Sequence, residues 1–348
     1  MEKFFRFLFI FIPITIVASF MHVSPLMVFL LSAIAIIPLA KYMGEATEEL
    51  STHVGQAMGG LLSATFGNAT ELIIGLFAIQ AGLVEVVKAS LTGSIIGNLL
   101  LVLGGSMLVG GFKYKKQKFN KTAVLVSAST LLLAVIALVM PAILLQTVSG
   151  IETSVIQHLS FAVAILMIIT YVAVLFFNLY THKHLYIEEV GKNEARWSKS
   201  KSIIVLVVMT VFVAWMSEIL VGSIEPLVRQ LGWTELFIGV VFVAIIGNAA
   251  EHTSAITMAL KNKMDLALQI SIGSATQIAL FVAPFLVIAS LLFRHPISLV
   301  FNTFELVAIV FSVLIVNLVV GDGESNWLEG LQLIAAYGII AVAFFFHP

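Results

Sequence analysis

The segment Gly67-Asn68-Ala69-Thr70-Glu71 lies inside a long apolar stretch and returns, with one change, as Gly247-Asn248-Ala249-Ala250-Glu251. The two copies are 180 residues apart, and a second pair, Gly93-Ser94 and Gly273-Ser274, has the same offset without a gap. One five-residue echo can arise by chance in helices rich in glycine and alanine. Two echoes at one spacing indicate an internal duplication.

The composition around these copies is typical of a membrane protein. Of the 348 residues, 60% are hydrophobic and 11% are charged, and the mean hydropathy is +1.09, whereas soluble domains carry about 25% charged residues. No cysteine is present, which excludes disulfides, thiol catalysis and thiolate metal sites. The formal net charge of −1 gives no indication of a nucleic-acid partner. The expected partner of the surface is the lipid bilayer.

Eleven apolar stretches are long enough to cross the roughly 30 Å hydrocarbon core as helices. Runs of this length are too long for the short alternating strands of a closed barrel. The sequence therefore predicts an all-α, polytopic membrane protein with about 11 transmembrane helices. The predicted spans are residues 4–20, 24–41, 57–81, 86–111, 122–145, 156–180, 202–227, 235–260, 264–293, 298–320 and 328–346.

The first of these stretches also resembles a signal peptide, because Lys3 and Arg6 precede its apolar run. The segment Ala18-Ser19-Phe20-Met21 is a poor cleavage site. An uncleaved first helix is therefore the better interpretation.

Positive charge is concentrated in alternate loops, which fixes the expected orientation. One side of the eleven-span arrangement collects 15 of the 18 lysines and arginines, and the other side has only Lys88, Arg229 and Arg294. The sequence predicts a cytoplasmic N-terminus, an external C-terminus and a multi-pass protein of the bacterial cell (inner) membrane. The basic residues of the predicted cytoplasmic side are Lys3, Arg6, Lys41, Lys113, Lys115, Lys116, Lys118, Lys121, Lys183, Lys192, Arg196, Lys199, Lys201, Lys261 and Lys263.

The offset of the duplication covers five spans, so matching segments cross the membrane in opposite directions. Two inverted-topology five-helix repeats follow, related by a pseudo-two-fold axis in the membrane plane, with an extra N-terminal helix. Residues 1–22 are predicted as that extra helix, 23–182 as the first repeat, 183–201 as a cytoplasmic linker and 202–348 as the second repeat. Inverted repeats are the architecture of secondary transporters that work by alternating access.

Glu71 and Glu251 are predicted to lie near the centre of the bilayer. Glu71 is about 21 Å into its span at 1.5 Å per residue, and Glu251 reaches the equivalent depth from the opposite side. A charge there costs about 2.5–3.5 kcal/mol on insertion scales, and no lysine or arginine falls in the middle of a span to pair with either acid. One divalent cation or two protons would neutralise the pair, which predicts exchange of Ca²⁺ for at least two H⁺.

Further oxygen ligands are available beside the two acids, since Ca²⁺ takes six to eight of them. Gly67 and Gly247 are expected to open a helical turn and present carbonyl oxygens, and Asn68 and Asn248 to offer amide oxygens. The same residues also suit close helix packing with an interhelical amide bond. A polar patch deeper in the following spans is predicted to act as water-mediated ligands or as packing contacts, and it consists of Ser94, Asn98, Ser274 and Gln277.

Several titratable residues are candidates for proton coupling or for control of access. His252 follows Glu251 and either relays protons or is a hydrogen-bonded interior histidine. Glu218 and Glu225 lie near one entrance, and Glu45 and Glu48 near the other. Glu45 and Glu48, with Glu49, also suit the wet face of a short amphipathic helix over residues 45–56. A Glu49→Gln change is expected to lower Ca²⁺ uptake much less than changes to Glu71 or Glu251.

The segments over residues 67–98 and 247–280 resemble the two signature repeats of the calcium/cation antiporter superfamily, and most closely those of its calcium/proton exchanger branch. The resemblance covers nearly the whole chain. It implies that Glu71 and Glu251 are the central Ca²⁺ ligands, that spans 2, 3, 7 and 8 line the pathway, and that acids around Glu218 and Glu48 take part in access and proton coupling. One departure is that Asn98 has an apolar counterpart, Ile278, with Gln277 one position earlier.

Other functions are weighed against this one. The nearest rival is an antiporter of the same superfamily coupled to Na⁺ or K⁺, and a passive channel is a more distant one. A hydrolase would need a nucleophile with its base or a metal-binding pair, and the sequence has no His-Glu-x-x-His and no cysteine. The protein is therefore not expected to be an enzyme or to carry a cofactor. Its expected partners are Ca²⁺ and H⁺ as transported ions, and a homo-oligomer is left open.

Overall fold

The computed structural model describes residues 2–21, 23–54, 56–148, 150–182 and 195–347. Most of the predicted linker therefore lies outside the described residues, and the helix that follows it begins at Lys199. The helices, in chain order, are Glu2–Leu8 (α1), Phe11–Phe20 (α2), Pro25–Val54 (α3), Gln56–Phe66 (α4), Ala69–Gln80 (α5), Val84–Ile96 (α6), Leu103–Tyr114 (α7), Lys121–Thr147 (α8), Thr153–Phe176 (α9), Lys199–Leu231 (α10), Glu235–Phe237 (α11), Ala244–Gly247 (α12), Ala249–Leu260 (α13), Met264–Gln277 (α14), Ala283–Ser290 (α15), Thr303–Val319 (α16) and Trp327–Phe346 (α17).

Several helices continue through π-helical turns rather than ending. The π segments are Gly97–Val102, Phe177–Thr181, Ile238–Val243 and Ile278–Val282. The first and last of these occupy equivalent repeat positions, because residues 98–102 plus 180 are residues 278–282. A π turn inserts one residue into the hydrogen-bond register without changing the apolar character of the helix, so the sequence pattern did not predict it.

The predicted number of eleven spans is not confirmed. Within the described ranges nine helices are long and apolar enough to cross a membrane, and Glu235–Gly247 with Ala249–Leu260, bent by 59°, makes up to ten. The predicted third span, 57–81, is divided into α4 and α5, which have 11 and 12 residues. Each is too short to cross the hydrocarbon core alone, because a helix needs about 20 residues to do so.

The two longest helices occupy equivalent positions in the two halves and pack against each other along their length. Their facing residues are apolar and buried, as with Ile36 and Met43 on α3 and Met216 and Leu220 on α10. Outward-facing side chains are equally apolar: Leu166 on α9 is 63% exposed and Ile339 on α17 is 71% exposed. An apolar exterior of this kind is expected for a surface that contacts lipid tails.

A short strand pair closes one end of the bundle. β1 (Gln117–Lys118) pairs antiparallel with β2 (Glu324–Ser325), and the backbone N–H of Phe119 donates to the carbonyl of Gly323 over 3.1 Å. The pairing ties the loop that follows α7 to the loop that precedes α17. This end carries the lysine-rich loops of the sequence.

Candidate ion-binding site

Two helices of the bundle break at equivalent residues, and the break sets the position of each buried acid. Asn68 (φ −109°, ψ 28°) separates α4 from α5, and Asn248 (φ −90°, ψ 15°) separates α12 from α13. The first hydrogen bonds after the breaks run from Leu72 N to Asn68 O and from His252 N to Asn248 O, both 3.1 Å. The carbonyls of Gly67 and Gly247 therefore precede the hydrogen-bond ladder of the following helix, as the sequence predicted.

Glu71 lies across the opposite break. A Cβ atom added to Gly247 would lie 3.1 Å from Glu71 Cγ and 3.6 Å from its Oε1. Glu251 is one turn beyond Gly247, and both line the same cavity as Gly67 and Thr70. The two acids therefore converge between the helix breaks and do not face the lipid.

The carboxylate oxygens of this pair lack protein donors. Both oxygens of Glu71 and Oε2 of Glu251 are buried without a hydrogen-bond partner among the described residues, and the Glu71 side chain is only 9% exposed. A buried carboxylate without a partner is costly, because its hydration is lost and nothing replaces it. A bound cation or bound protons would supply the missing compensation.

The described residues contain no group of three or more His, Cys, Asp or Glu side chains that could hold a metal. A cation between the acids would therefore draw its remaining ligands from neutral oxygens, namely backbone carbonyls, amides, hydroxyls and water. Such a set fits a hard cation such as Ca²⁺. It does not fit a soft metal, which prefers sulfur or nitrogen ligands.

The six predicted polar residues form one hydrogen-bonded chain that crosses between the two halves. Asn68 Nδ2 donates to Gln277 Oε1 (2.6 Å), and Ser274 Oγ donates to Asn68 Oδ1 (3.1 Å). Asn98 Nδ2 donates to Ser274 Oγ (2.9 Å) and to Asn248 Oδ1 (2.7 Å). Asn248 Nδ2 donates to Ser94 Oγ over 2.8 Å, which ends the chain.

This chain of hydrogen bonds is only partly symmetric. The pairs Asn68–Ser274 and Asn248–Ser94 are equivalent under the 180-residue offset and each joins the two halves, but Ser274 donates to Asn68 whereas Ser94 accepts from Asn248. The repeat counterpart of Asn98 is Ile278, which is fully buried and apolar. Asn98 Oδ1 is buried without a partner among the described residues. The bridging amide is thus provided by the first half alone.

Hydrogen bonds hold the two amides that the sequence predicts as oxygen ligands. The Oδ1 atoms of Asn68 and Asn248 each accept one hydrogen bond from the opposite half, which leaves a second lone pair on each oxygen for a cation. The same bonds join the two helix breaks. Asn98 Oδ1 is the amide oxygen that the chain leaves free for an ion or for water.

A wide cavity reaches the two acids from one end of the bundle. It has a volume of about 720 Å³, and Glu251 and Thr70 lie along it. Its mouth is charged and includes Glu48, Lys261 and a Lys41–Glu45 ion pair of 2.5 Å. On the other side of Glu71 only a narrow cavity of about 10 Å³ remains, between Ser90 and Val243. The site is therefore accessible from the lysine-rich end.

The remaining candidate acids are placed at the mouth or on the outside. Glu45 and Glu48 line the wide cavity, but they do so on a continuous helix, because α3 runs on to Val54. The alternative of a separate amphipathic helix over 45–56 is therefore wrong: residues 45–54 are helix formers without a proline or glycine to stop α3. Glu218 and Glu225 are exposed on α10, and neither lines the wide cavity. His252 is half-buried beside Glu251.

Sequence reasoning missed the role of Glu49. This side chain is 5% exposed, and its Oε1 accepts from Arg196 Nε over 2.7 Å. Its Oε2 accepts the backbone N–H groups of Arg196 (2.8 Å) and Trp197 (3.0 Å). His53 Nε2 is also 2.7 Å from the Trp197 carbonyl. The carboxylate therefore anchors the described end of the linker to α3, at the mouth of the wide cavity.

The chain is similar to known proteins over its whole length. The model of the family described as sodium/calcium exchanger protein matches residues 24–180 and 201–346. A Ca²⁺/H⁺ antiporter of Aphanothece halophytica is 49% identical over 359 residues, which cover 98% of this chain and 96% of the relative. The Ca²⁺/H⁺ antiporter ChaA of Bacillus subtilis is 48% identical and is covered to 96%, as is this chain. A solved structure of the Ca²⁺/H⁺ antiporter protein YfkE superimposes with a TM-score of 0.86 at 45% identity, covering 100% of both chains.

Proposed function

This chain belongs to the sodium/calcium exchanger protein family, and on that premise we propose that it is a secondary active antiporter that exchanges Ca²⁺ for H⁺. The proton gradient drives the exchange, and the protein alternates between two access states. The observation that carries the proposal is the pair of buried carboxylates, Glu71 and Glu251, whose oxygens lack protein donors. The protein is a transporter that needs no cofactor, since the ions are its substrates.

The chemistry follows from the charge of this pair. Two carboxylates carry two negative charges, and either one Ca²⁺ or two protons neutralises them. In a low-dielectric interior the uncompensated pair is strongly disfavoured, so release of Ca²⁺ is linked to uptake of protons. Only the neutralised forms cross readily between the access states, which couples the two fluxes.

The ligand assignment is part of the proposal. Glu71 and Glu251 bind the ion directly, and the carbonyls of Gly67 and Gly247 complete the inner ligands with water. Asn98 contributes its free amide oxygen. Asn68 and Asn248 hold the two helix breaks in place, together with the polar residues that bridge them, namely Ser94, Ser274 and Gln277.

Orientation and assembly complete the proposal. The repeats comprise residues 23–182 and 202–348, and the lysine-rich end faces the cytoplasm of a bacterial cell, so the wide cavity is the inward route. Glu45 and Glu48 attract cations to that route. Glu218 and Glu225 are assigned to proton access in the opposite state, and His252 to proton relay beside Glu251. One chain supplies both halves of the site, so transport does not require a homo-oligomer.

The test is ⁴⁵Ca²⁺ uptake into proteoliposomes after an imposed pH step. Glu71→Gln and Glu251→Gln are each expected to lower the initial rate at least a hundredfold, because either change removes a charge that the cation needs. Glu152→Gln, at the exposed start of α9, is the matched control and should transport normally. Wild-type uptake in either central variant, or uptake driven by Na⁺ but not by H⁺, would contradict the proposal.

A further inference from the structure

Seven exposed lysines converge at the mouth end of the bundle from two loops that belong to opposite halves. The segment from the end of α7 to the start of α8 supplies five, and the turn between α13 and α14 supplies two. We call this set the lysine patch, and it consists of Lys113, Lys115, Lys116, Lys118, Lys121, Lys261 and Lys263.

The two loops of the lysine patch are fixed to each other. Lys113 Nζ and Tyr114 OH both donate to the carbonyl of Leu260, each over 2.9 Å. Gln117 is buried, and its Nε2 donates to the carbonyl of Ala259 (2.9 Å) and to Asn262 Oδ1 (3.0 Å). The β1–β2 pair holds the same loop from its other side. The patch is therefore a preorganised surface that spans both halves.

Positive charge on this surface is largely uncompensated. Three carboxylates lie beside these loops, one at the start of α14 and two on the segment before α17. Glu324 forms an ion pair with Lys116, and Asp265 accepts the backbone N–H of Asn120 over 2.5 Å. Asp322 accepts from the N–H of Glu324. Among the described residues, no carboxylate lies within ion-pair distance of the other six lysines of the patch.

An aromatic pair fixes the level of the patch relative to the membrane. Phe112 and Trp327 stack with their ring centroids 5.8 Å apart and an interplanar angle of 12°, and they are 68% and 43% exposed. Exposed aromatic residues at the end of a span are typical of the headgroup region of the bilayer. Phe112 directly precedes Lys113, so the patch lies where lipid phosphates lie.

We propose that the lysine patch binds the headgroup of an anionic phospholipid. Clusters of four to eight basic residues at the end of a membrane helix attract anionic lipid, and the fixed loops allow one headgroup to contact lysines from both halves. The carbonyls of Ala259 and Leu260 end α13, the helix that carries Glu251. A bound headgroup therefore stabilises the packing of the loop after α7 on the end of α13, in the access state described above.

The first test measures lipid binding directly and is independent of transport. The purified protein is exchanged into detergent with equal amounts of phosphatidylglycerol and phosphatidylcholine, and the retained lipids are counted by native mass spectrometry. Wild type should retain more phosphatidylglycerol than phosphatidylcholine. Lys115→Gln combined with Lys118→Gln should lower that retention roughly tenfold, whereas Lys115→Arg with Lys118→Arg should keep it.

The matched control is Lys3→Gln combined with Lys199→Gln, which removes the same charge from exposed positions elsewhere. It should retain lipid as wild type does. Equal retention by the Lys115/Lys118 glutamine variant and this control would overturn the proposal. So would displacement of the lipid by inorganic phosphate at 10 mM, because that result would make the patch a general anion site.

A second measurement addresses the consequence for transport and rests on the proposed function. The rate of wild-type Ca²⁺ uptake should rise severalfold from pure phosphatidylcholine to mixed phosphatidylglycerol vesicles, and the rise should be absent from the Lys115/Lys118 glutamine variant alone. The control variant reports any general enrichment of Ca²⁺ at an anionic surface. If wild type retained phosphatidylglycerol but did not transport Ca²⁺, the proposed function would fail while the lipid site would stand.

Discussion

At the scale of single residues, Glu71 and Glu251 differ in their surroundings although they are repeat equivalents. Glu71 has both oxygens buried and faces a narrow cavity of about 10 Å³. Glu251 has one oxygen buried and lies along the wide cavity. An entering cation therefore meets Glu251 first. On the proposed alternating-access mechanism, exchange of the two conformations would make Glu71 the first contact in the opposite state.

Asn98 is the residue on which the polar chain depends. Asn98→Ile copies the second half into the first and removes the two bonds that join Asn248 to Ser274. Each buried polar group left without a partner costs about 1–3 kcal/mol, so uptake should fall at least tenfold while the protein still folds.

The measurement is ⁴⁵Ca²⁺ uptake at matched protein content, with the elution profile as a folding check. Gln277→Ala serves as the comparison, because Gln277 contacts only Asn68 within the polar chain. Gln277→Ala should lower Ca²⁺ uptake less than Asn98→Ile does. Full activity of Asn98→Ile would mean that the bridge is dispensable.

Glu49 is expected to affect stability rather than ion binding. Glu49→Gln removes the charge and replaces one acceptor oxygen by an NH₂ donor, so at least one of the three hydrogen bonds to the linker is lost. The guanidinium of Arg196 is exposed, which limits the loss to about 1 kcal/mol. The melting temperature in detergent should fall by a few degrees, and more than it does for Glu48→Gln. Equal melting temperatures would show that the anchor does not contribute. The wet helix face that the sequence suggested for Glu49 does not fit the structure, because the carboxylate is buried; the expectation that Glu49→Gln changes Ca²⁺ uptake much less than Glu71→Gln stays a prediction.

At the scale of helices, equivalent glycines in the two halves have different neighbours. A Cβ atom on Gly93 would lie 2.0 Å from the carbonyl oxygen of Val240, so α6 packs closely on the π segment Ile238–Val243. The repeat equivalent of that contact joins Gly273 to Gly60. Gly273 has nothing within 4 Å of an added Cβ and lines a cavity of about 320 Å³ instead. A close contact in one repeat position therefore corresponds to a cavity at the equivalent position of the other half.

In the proposed alternating-access mechanism, the two halves exchange conformations, so Gly60 should approach Gly273 and close the cavity. The chain contains no cysteine, so a Gly60→Cys/Gly273→Cys variant needs no prior substitution. We expect the pair to form a disulfide only when the protein samples the opposite access state, and the disulfide to stop transport until it is reduced. Gly60→Cys paired with Gly150→Cys is the control and should not cross-link. Cross-linking that is insensitive to the imposed Ca²⁺ and pH gradients would argue against the exchange.

Helix positions were largely predictable from the sequence, whereas helix irregularities were not. The predicted spans 122–145 and 156–180 correspond to α8 and to α9 with its π segment, because long apolar runs have few alternatives in lipid. The breaks next to Gly67 and Gly247 were predicted because glycine weakens a helix and an opened turn presents carbonyl oxygens to an ion. The π turns and the Glu49 anchor could not be predicted, since both depend on contacts between segments distant in the chain.

At the scale of the whole molecule, the described residues leave a wide cavity from the lysine-rich end to the acids and a narrow one beyond Glu71. Thr253 and Ser254 line the wide cavity, whereas Ser90 lines the narrow one. Ser254→Cys should therefore react with a membrane-impermeant thiol reagent added at the lysine-rich end, and Ser90→Cys should react slowly from either end. The measurement is the fraction of protein labelled in oriented vesicles. A Ser90→Cys variant that labels as fast as Ser254→Cys would contradict this difference between the two cavities.

The hydrogen-bonded chain of polar residues has a consequence for expressing the protein as two separate fragments. Asn68 hydrogen-bonds to Ser274 and Gln277, and Asn248 hydrogen-bonds to Ser94 and Asn98 besides the carbonyl of Ala244 in its own half. The amide at each break therefore depends on partners from the other half. Two fragments expressed from separate genes should assemble with each other, since each supplies what the other lacks. Two copies of the first fragment would place Asn98 twice at the dyad, and two copies of the second would place Ile278 there twice. Neither self-paired arrangement reproduces the combination of Asn98 with Ile278 that the intact chain has.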